Sequence, residues 1–172
     1  MSIIGKALAW AFEFDSVRKW LKRDEYGHLL DGNGYLYMGR WAVIREGTVA
    51  GKLLALLTLG SYDHVRLHWI LQPDADRELH NHPFKYRTYI LQGWYEEEVG
   101  GLLLPAYRNV RKGDTVDGGG YHRIAGVSPG GVFTLFLMGK DTGEWGFLVN
   151  GKHVTSKAFF KLRGIRADGS KA

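Results

Sequence analysis

A chain of 172 residues, 45% hydrophobic and 24% charged with 24 glycines, has room for one domain with a packed core and the composition of an ordered globular protein. It contains no cysteine, which excludes disulfides, thiolate zinc sites and iron–sulfur clusters and leaves any metal to His, Asp, Glu or Tyr. The net charge of +5 leans on a basic C-terminal segment, Lys152, Lys157, Lys161, Arg163, Arg166 and Lys171 against Asp168 alone; a solvated tail is favoured there over a hold on nucleic acid.

Residues 3–23 read as helix, because Ile3, Ile4, Ala7, Leu8, Ala11 and Phe12 recur at helical spacing and Asp15 or Ser16 can cap a second turn carrying Val17, Trp20 and Leu21. The apolar stretch Ile3 to Phe14 is interrupted by Lys6 and Glu13, is too short to cross a bilayer and lacks the plan of a signal peptide, so a cytoplasmic protein with no membrane partner is expected. From Gly34 the pattern changes to short β-type runs at 35–45, 52–59, 65–71, 86–99, 106–111, 121–125, 132–138 and 145–149. Turn signals at Asp31–Gly34, Gly100-Gly101, Gly118-Gly119-Gly120 and Ser128-Pro129-Gly130-Gly131 join them, which is the plan of an antiparallel all-β barrel of the jelly-roll kind. Thr155 or Ser156 can cap a short last helix through Leu162. The expected division is an N-terminal helical extension at 1–33, a barrel at 34–162 and a flexible basic tail at 163–172.

His80 and His82 stand two apart, so on a strand both imidazoles face one side, and a third histidine, His122, follows the triglycine turn. Three neutral imidazoles can hold a first-row divalent ion and leave positions open for a ligand. Tyr86 is in phase with His80 and His82 and is the candidate catalytic side chain, with packing as its alternative role. His68, Trp69 and Trp145 are candidates for a substrate pocket, while His28, His64 and His153 read as loop residues. Asp74, Asp76, Arg77 and Glu78 read as a solvated turn in which Arg77 pairs with an acid and one carboxylate can orient a ligating histidine. Glu96-Glu97-Glu98 reads as a solvated strand edge.

These residues resemble the cupins, whose first motif is a glycine-ended segment with His-x-His and a glutamate and whose second adds one histidine. His80-Asn81-His82 and Gly93 match the first; Lys112-Gly113-Asp114 with Tyr121-His122-Arg123 resembles the second. The chain more closely resembles a branch of bacterial and phage cupins, through His80-Asn81-His82-Pro83, Leu91-Gln92-Gly93, His122-Arg123 and Glu144-Trp145-Gly146-Phe147. The glutamate position falls on Tyr86, with Lys85 beside it, and the interval from Gly113 to His122 is two residues short. The resemblance implies a double-stranded β-helix (jelly-roll barrel) with an iron, nickel, manganese or zinc ion at His80, His82 and His122, and barrels paired as dimers. It implies a metal-dependent enzyme on a small polar molecule, with dioxygenase-type oxidation ahead of isomerisation; the alternatives are a non-catalytic binding protein and a nucleic-acid accessory factor.

Overall fold

The computed structural model describes residues 2–163 apart from 24, 32–33, 77, 101–105 and 142. The chain begins with two helices, α1 (Ile3–Ala11) and α2 (Asp15–Leu21), rather than one helix over 3–23. The second is capped at Phe14, without a side-chain bond, so neither Asp15 nor Ser16 is its cap; Asp15 lies in the first turn, paired with Arg18. Strands β1 (Glu25–Leu30) and β2 (Leu36–Ile44) follow, so the segment expected as a helical extension also contributes a strand. Residues 52–59, expected as a strand, are largely helical: α3 (Val49–Leu57) is capped by the Thr48 hydroxyl, which accepts from Gly51 N at 3.1 Å. The leucines and alanine that follow that cap carry no branch at Cβ and favour helix over strand.

The remaining elements are β3 (His64–Ile70), β4 (Leu79–His80), β5 (Phe84–Gln92), β6 (Trp94–Gly100), β7 (Ala106–Arg111), β8 (Thr115–Gly118), β9 (Tyr121–Val127), β10 (Val132–Asp141), β11 (Gly146–Val149), β12 (Lys152–Thr155) and α4 (Ser156–Leu162). The single run expected over 86–99 is two strands in different sheets. Gly93 makes the switch at φ +78°, where a Cβ would lie 2.6 Å from the Gly131 carbonyl oxygen. The turns expected at 31–34 and 100–101 fall partly outside the described residues, as does all but Arg163 of the basic tail.

Among the described residues two six-stranded antiparallel sheets result, in the orders β1-β2-β3-β10-β5-β8 and β12-β11-β4-β9-β6-β7. The inner faces meet in a core of Ile70, Ile90, Tyr95, Val110, Val116, Ile124 and Val132. Alternation along each strand carries this packing from one end of the barrel to the other. In the ladders of the first sheet Val132 stands opposite Ile70, and six residues on Met138 stands between His64 and Tyr86, so the barrel is apolar at one end and polar at the other.

The outer face of the first sheet is closed by α1 and α2. Phe12 and Leu21 pack on Leu67 and Leu91, with Trp41, Phe133 and Leu135 around them. A leucine as fully buried as Leu67 contributes about 2 kcal/mol by leaving water. The Ser2 hydroxyl caps α1 and meets Thr115 Oγ1 at 2.6 Å, which ties the helix to β8. Among the described residues no helix is long and apolar enough to cross a membrane.

Candidate metal centre

Three elements deliver the histidines to the polar end. His80, on the two-residue β4, stands directly across from His122 on β9, and on its other side from Phe147 on β11. His82 lies in the turn before β5. Between the two, Asn81 makes three bonds to the start of β11: its N–H donates to Gly146 O (3.0 Å), its side-chain amide donates to Glu144 O (3.0 Å), and its Oδ1 accepts from Gly146 N (2.8 Å). A segment too short to form a long ladder is thus held on both sides, which fixes where the flanking imidazoles point.

The rings of His80, His82 and His122 lie 4.7 to 5.2 Å apart, with one nitrogen of each within 4.8 Å of the others. One ion with nitrogen bonds of about 2.1 Å could draw them together by side-chain rotation. Burial pushes His80 down to about 4 against the pull of Asp74, and burial with the neighbouring histidines holds His82 well below its ordinary value. Both are therefore neutral donors at pH 7, as a ligand must be.

Sequence reasoning missed the side chain that orients the third histidine. Glu97 is not part of a solvated edge: it is 1% exposed, between the sheets, with Oε1 2.6 Å from His122 Nδ1 and Oε2 accepting from Arg108 Nε at 2.6 Å. Burial opposes its charge, but the bonds from His122 and Arg108 outweigh burial and hold the carboxyl below its ordinary range. An ionised carboxylate only accepts, so the shared hydrogen sits on His122 Nδ1 and leaves Nε2, which meets the Tyr86 hydroxyl, as the nitrogen open to an ion. The available signal was the alternation of β6, where Glu97 is in phase with Tyr95 and Val99. Glu98 faces the other way and pairs with Arg123, which points out of the barrel as expected.

Asp74 stands behind His80 in a similar way. It accepts from the Tyr37 hydroxyl and from Ile124 N (2.7 Å), and its Oδ2 is 3.7 Å from His80 Nδ1. Asp76 and Glu78 pair with Arg163 at 3.0 and 2.6 Å, so the acids of this turn are tied to the end of α4, while Arg77 lies outside the described residues.

Tyr86 points inward, buried, with its hydroxyl 3.3 Å from His122 Nε2 and its ring stacked on Phe136. Its partner in the ladder is Gly118, where a Cβ would fall inside the tyrosine ring. Beside it opens a cavity of about 600 Å³, lined by Tyr86, Glu97, Arg108, Gly118, Tyr121 and His122 among others.

The other expected pocket residues are not among those that line this cavity. His68 is buried on the inner face of β3, stacked on Phe136 at 4.8 Å; burial, with Arg66 and Arg40, pushes it down to about 3. Trp69 faces the opposite side of the same strand, stacked on Phe133 under Lys22. Trp145 packs on Phe147 and Phe160 in the aromatic cluster beneath α4. His28, His64 and His153 are strand residues, not loop residues; His153 Nδ1 meets the Tyr121 hydroxyl at 2.6 Å.

No family model matches the chain, and no curated protein matches it. Among solved structures it is similar to a cupin-2 domain from Rhodospirillum rubrum (16% identity, 77% of this chain and 75% of that one, TM-score 0.44). It is also similar to oxalate decarboxylase of Bacillus subtilis (17% identity, TM-score 0.46), covering 70% of this chain and 28% of that one. A third is HppE in its cobalt(II) form with substrate (15% identity, 66% and 62%, TM-score 0.42). The fold is an antiparallel jelly-roll barrel of two sheets. In this barrel the donors fit a divalent ion of the kind imidazole suits: one nitrogen from each of three histidines converges, no carboxylate is among them, and the Tyr86 hydroxyl stands beside them.

Proposed function

We propose that this cupin barrel holds one divalent ion at His80, His82 and His122 and acts on a small polar molecule in the adjoining cavity. The observation that carries the reading is the Glu97 bond to His122, because a buried carboxylate aimed at the far nitrogen of an imidazole presents the near one as a ligand. The ion, iron, nickel, manganese or zinc, would polarise a bound carbonyl or hydroxyl or activate oxygen. Dioxygenase-type oxidation is placed ahead of isomerisation, since three protein donors leave several positions open.

The chain's own residues would do the rest. Tyr86, backed by Phe136, donates to His122 Nε2 in the metal-free site, and an ion taking that lone pair would free the phenol proton for a ligand; burial raises its pKa, so it remains protonated across the neutral range. The packed core beyond the trio limits water to the cavity side. A second reading, a binding protein without catalysis, is favoured by one observation: Glu97, the acid nearest the trio, is already bonded to His122 and Arg108 and is not available as a general base. The ligand is a small molecule in both readings, and pairing of barrels is part of the proposal.

The test is elemental analysis of protein purified without added metal, with His80→Ala, His82→Ala and His122→Ala alongside. Near-stoichiometric metal, lost in all three variants, is the expected result and leads to oxygen-consumption screens. Protein that takes up none of the four ions overturns the metal reading.

A further inference from the structure

The charges around the trio identify the chemistry of the ligand. Three imidazoles add no charge to a divalent ion, and Tyr86 brings a neutral phenol where a carboxylate would have offset one unit. The neighbouring acids are largely spoken for. Glu97 is matched by Arg108, Asp117 on the cavity wall is held by Arg87 through two bonds of 2.6 and 2.8 Å, and Asp76 and Glu78 are matched by Arg163. Asp74 alone among the described carboxylates near His80 lacks a cationic partner, so at least one positive charge is left for the ligand to balance.

Arg108 gives that charge a direction. Only its Nε is used by Glu97; its terminal nitrogens make no hydrogen bond among the described residues, and the side chain is 41% exposed on the wall of the cavity that also contains His122. A guanidinium held at one edge and open at the other presents the fork that a carboxylate accepts with two oxygens. Gly119 and Gly120, which line the same cavity, carry no side chain and have open space beside them.

We propose that the ligand is a small carboxylic acid, its carboxylate on the terminal nitrogens of Arg108 and its remaining polar group over His122. This rests on the metal reading above for the second contact and on Arg108 alone for the first.

Isothermal titration of protein of measured metal content with lactate, methyl lactate and inorganic phosphate tests it, in wild type, Arg108→Lys and Arg108→Ala. The expected result is lactate bound at least about tenfold more tightly than its neutral ester, with that preference lost in Arg108→Lys at unchanged metal content. The lysine keeps a cation beside Glu97, so a change in this variant reports the lost fork and not a collapsed pair. Equal binding of acid and ester, tighter binding of phosphate, or full lactate affinity in both variants overturns the proposal. If no metal loads, the function proposed above fails, and the same comparison in the metal-free protein still decides whether Arg108 selects a carboxylate.

Discussion

Glu97 Oε1 and His122 Nδ1 lie 2.6 Å apart in the interior of the barrel, and the other oxygen of the same carboxylate takes the Nε hydrogen of Arg108. Both partners donate, so the site calls for a group that accepts at both ends.

Glutamine cannot do this, since its amide nitrogen must face either Arg108 or His122. Glu97→Gln should therefore weaken metal binding by about 10- to 100-fold and cost about 1–3 kcal/mol of stability for the unmet bond. Competition with a chromogenic chelator measures the first and urea unfolding the second; unchanged affinity would remove Glu97 from its orienting role.

Gly118 lies against the face of Tyr86 so closely that an alanine methyl must move the ring. Gly118→Ala should destabilise the protein by about 1–3 kcal/mol as an overpacked site and break the 3.3 Å contact between Tyr86 and His122. The same change made on a Tyr86→Ala background should cost little, and a double-mutant cycle that shows no coupling would refute the account.

The buried histidines set the acid limit of the metal-free protein. His68 stands at about 3 in the fold against 6.5 in the unfolded chain, and His80 at about 4. As pH falls the unfolded chain is protonated first, so stability is full above about pH 6.5 and is lost by about 1.4 kcal/mol per pH unit for each such histidine below it. The loss from His80 ends near pH 4 and that from His68 near 3. Urea midpoints in EDTA from pH 7.5 to 5 should fall steeply, and His68→Leu should flatten the fall by one proton's worth; an unaltered slope would show that His68 is not held neutral.

Metal binding should add to stability by mass action, about 2.7 kcal/mol at a free ion concentration 100 times Kd. Thermal unfolding with and without zinc should show this rise in wild type and no rise in His122→Ala.

The trio was legible in the sequence because its spacing carries the geometry: two residues apart for His80 and His82, and a glycine turn before His122. The barrel was legible from β-branched and aromatic runs between glycine turns. Glu97 was not, because three successive glutamates look solvated until the phase with Tyr95 is applied, and only tertiary structure supplies Arg108. The helix α3 was misread because Leu53, Leu54, Leu56 and Leu57 suit either period, and the cap at Thr48 lay outside the run considered. β4 is two residues long and gains its partners only from β9 and β11, which no local pattern announces. Trp69 and Trp145 were grouped by residue type, whereas the face of β3 and the docking of α4 separate them.

The brevity of β4 carries one more consequence. A strand of two residues contributes almost nothing to its own persistence, yet it is the seam that joins β11, β12 and α4 to the rest of the second sheet. An ion shared by His80 and His122 would act there as a rivet between distant parts of the chain. With the rivet in place β11, β12 and α4 should melt together with the barrel; without it, they should peel away first.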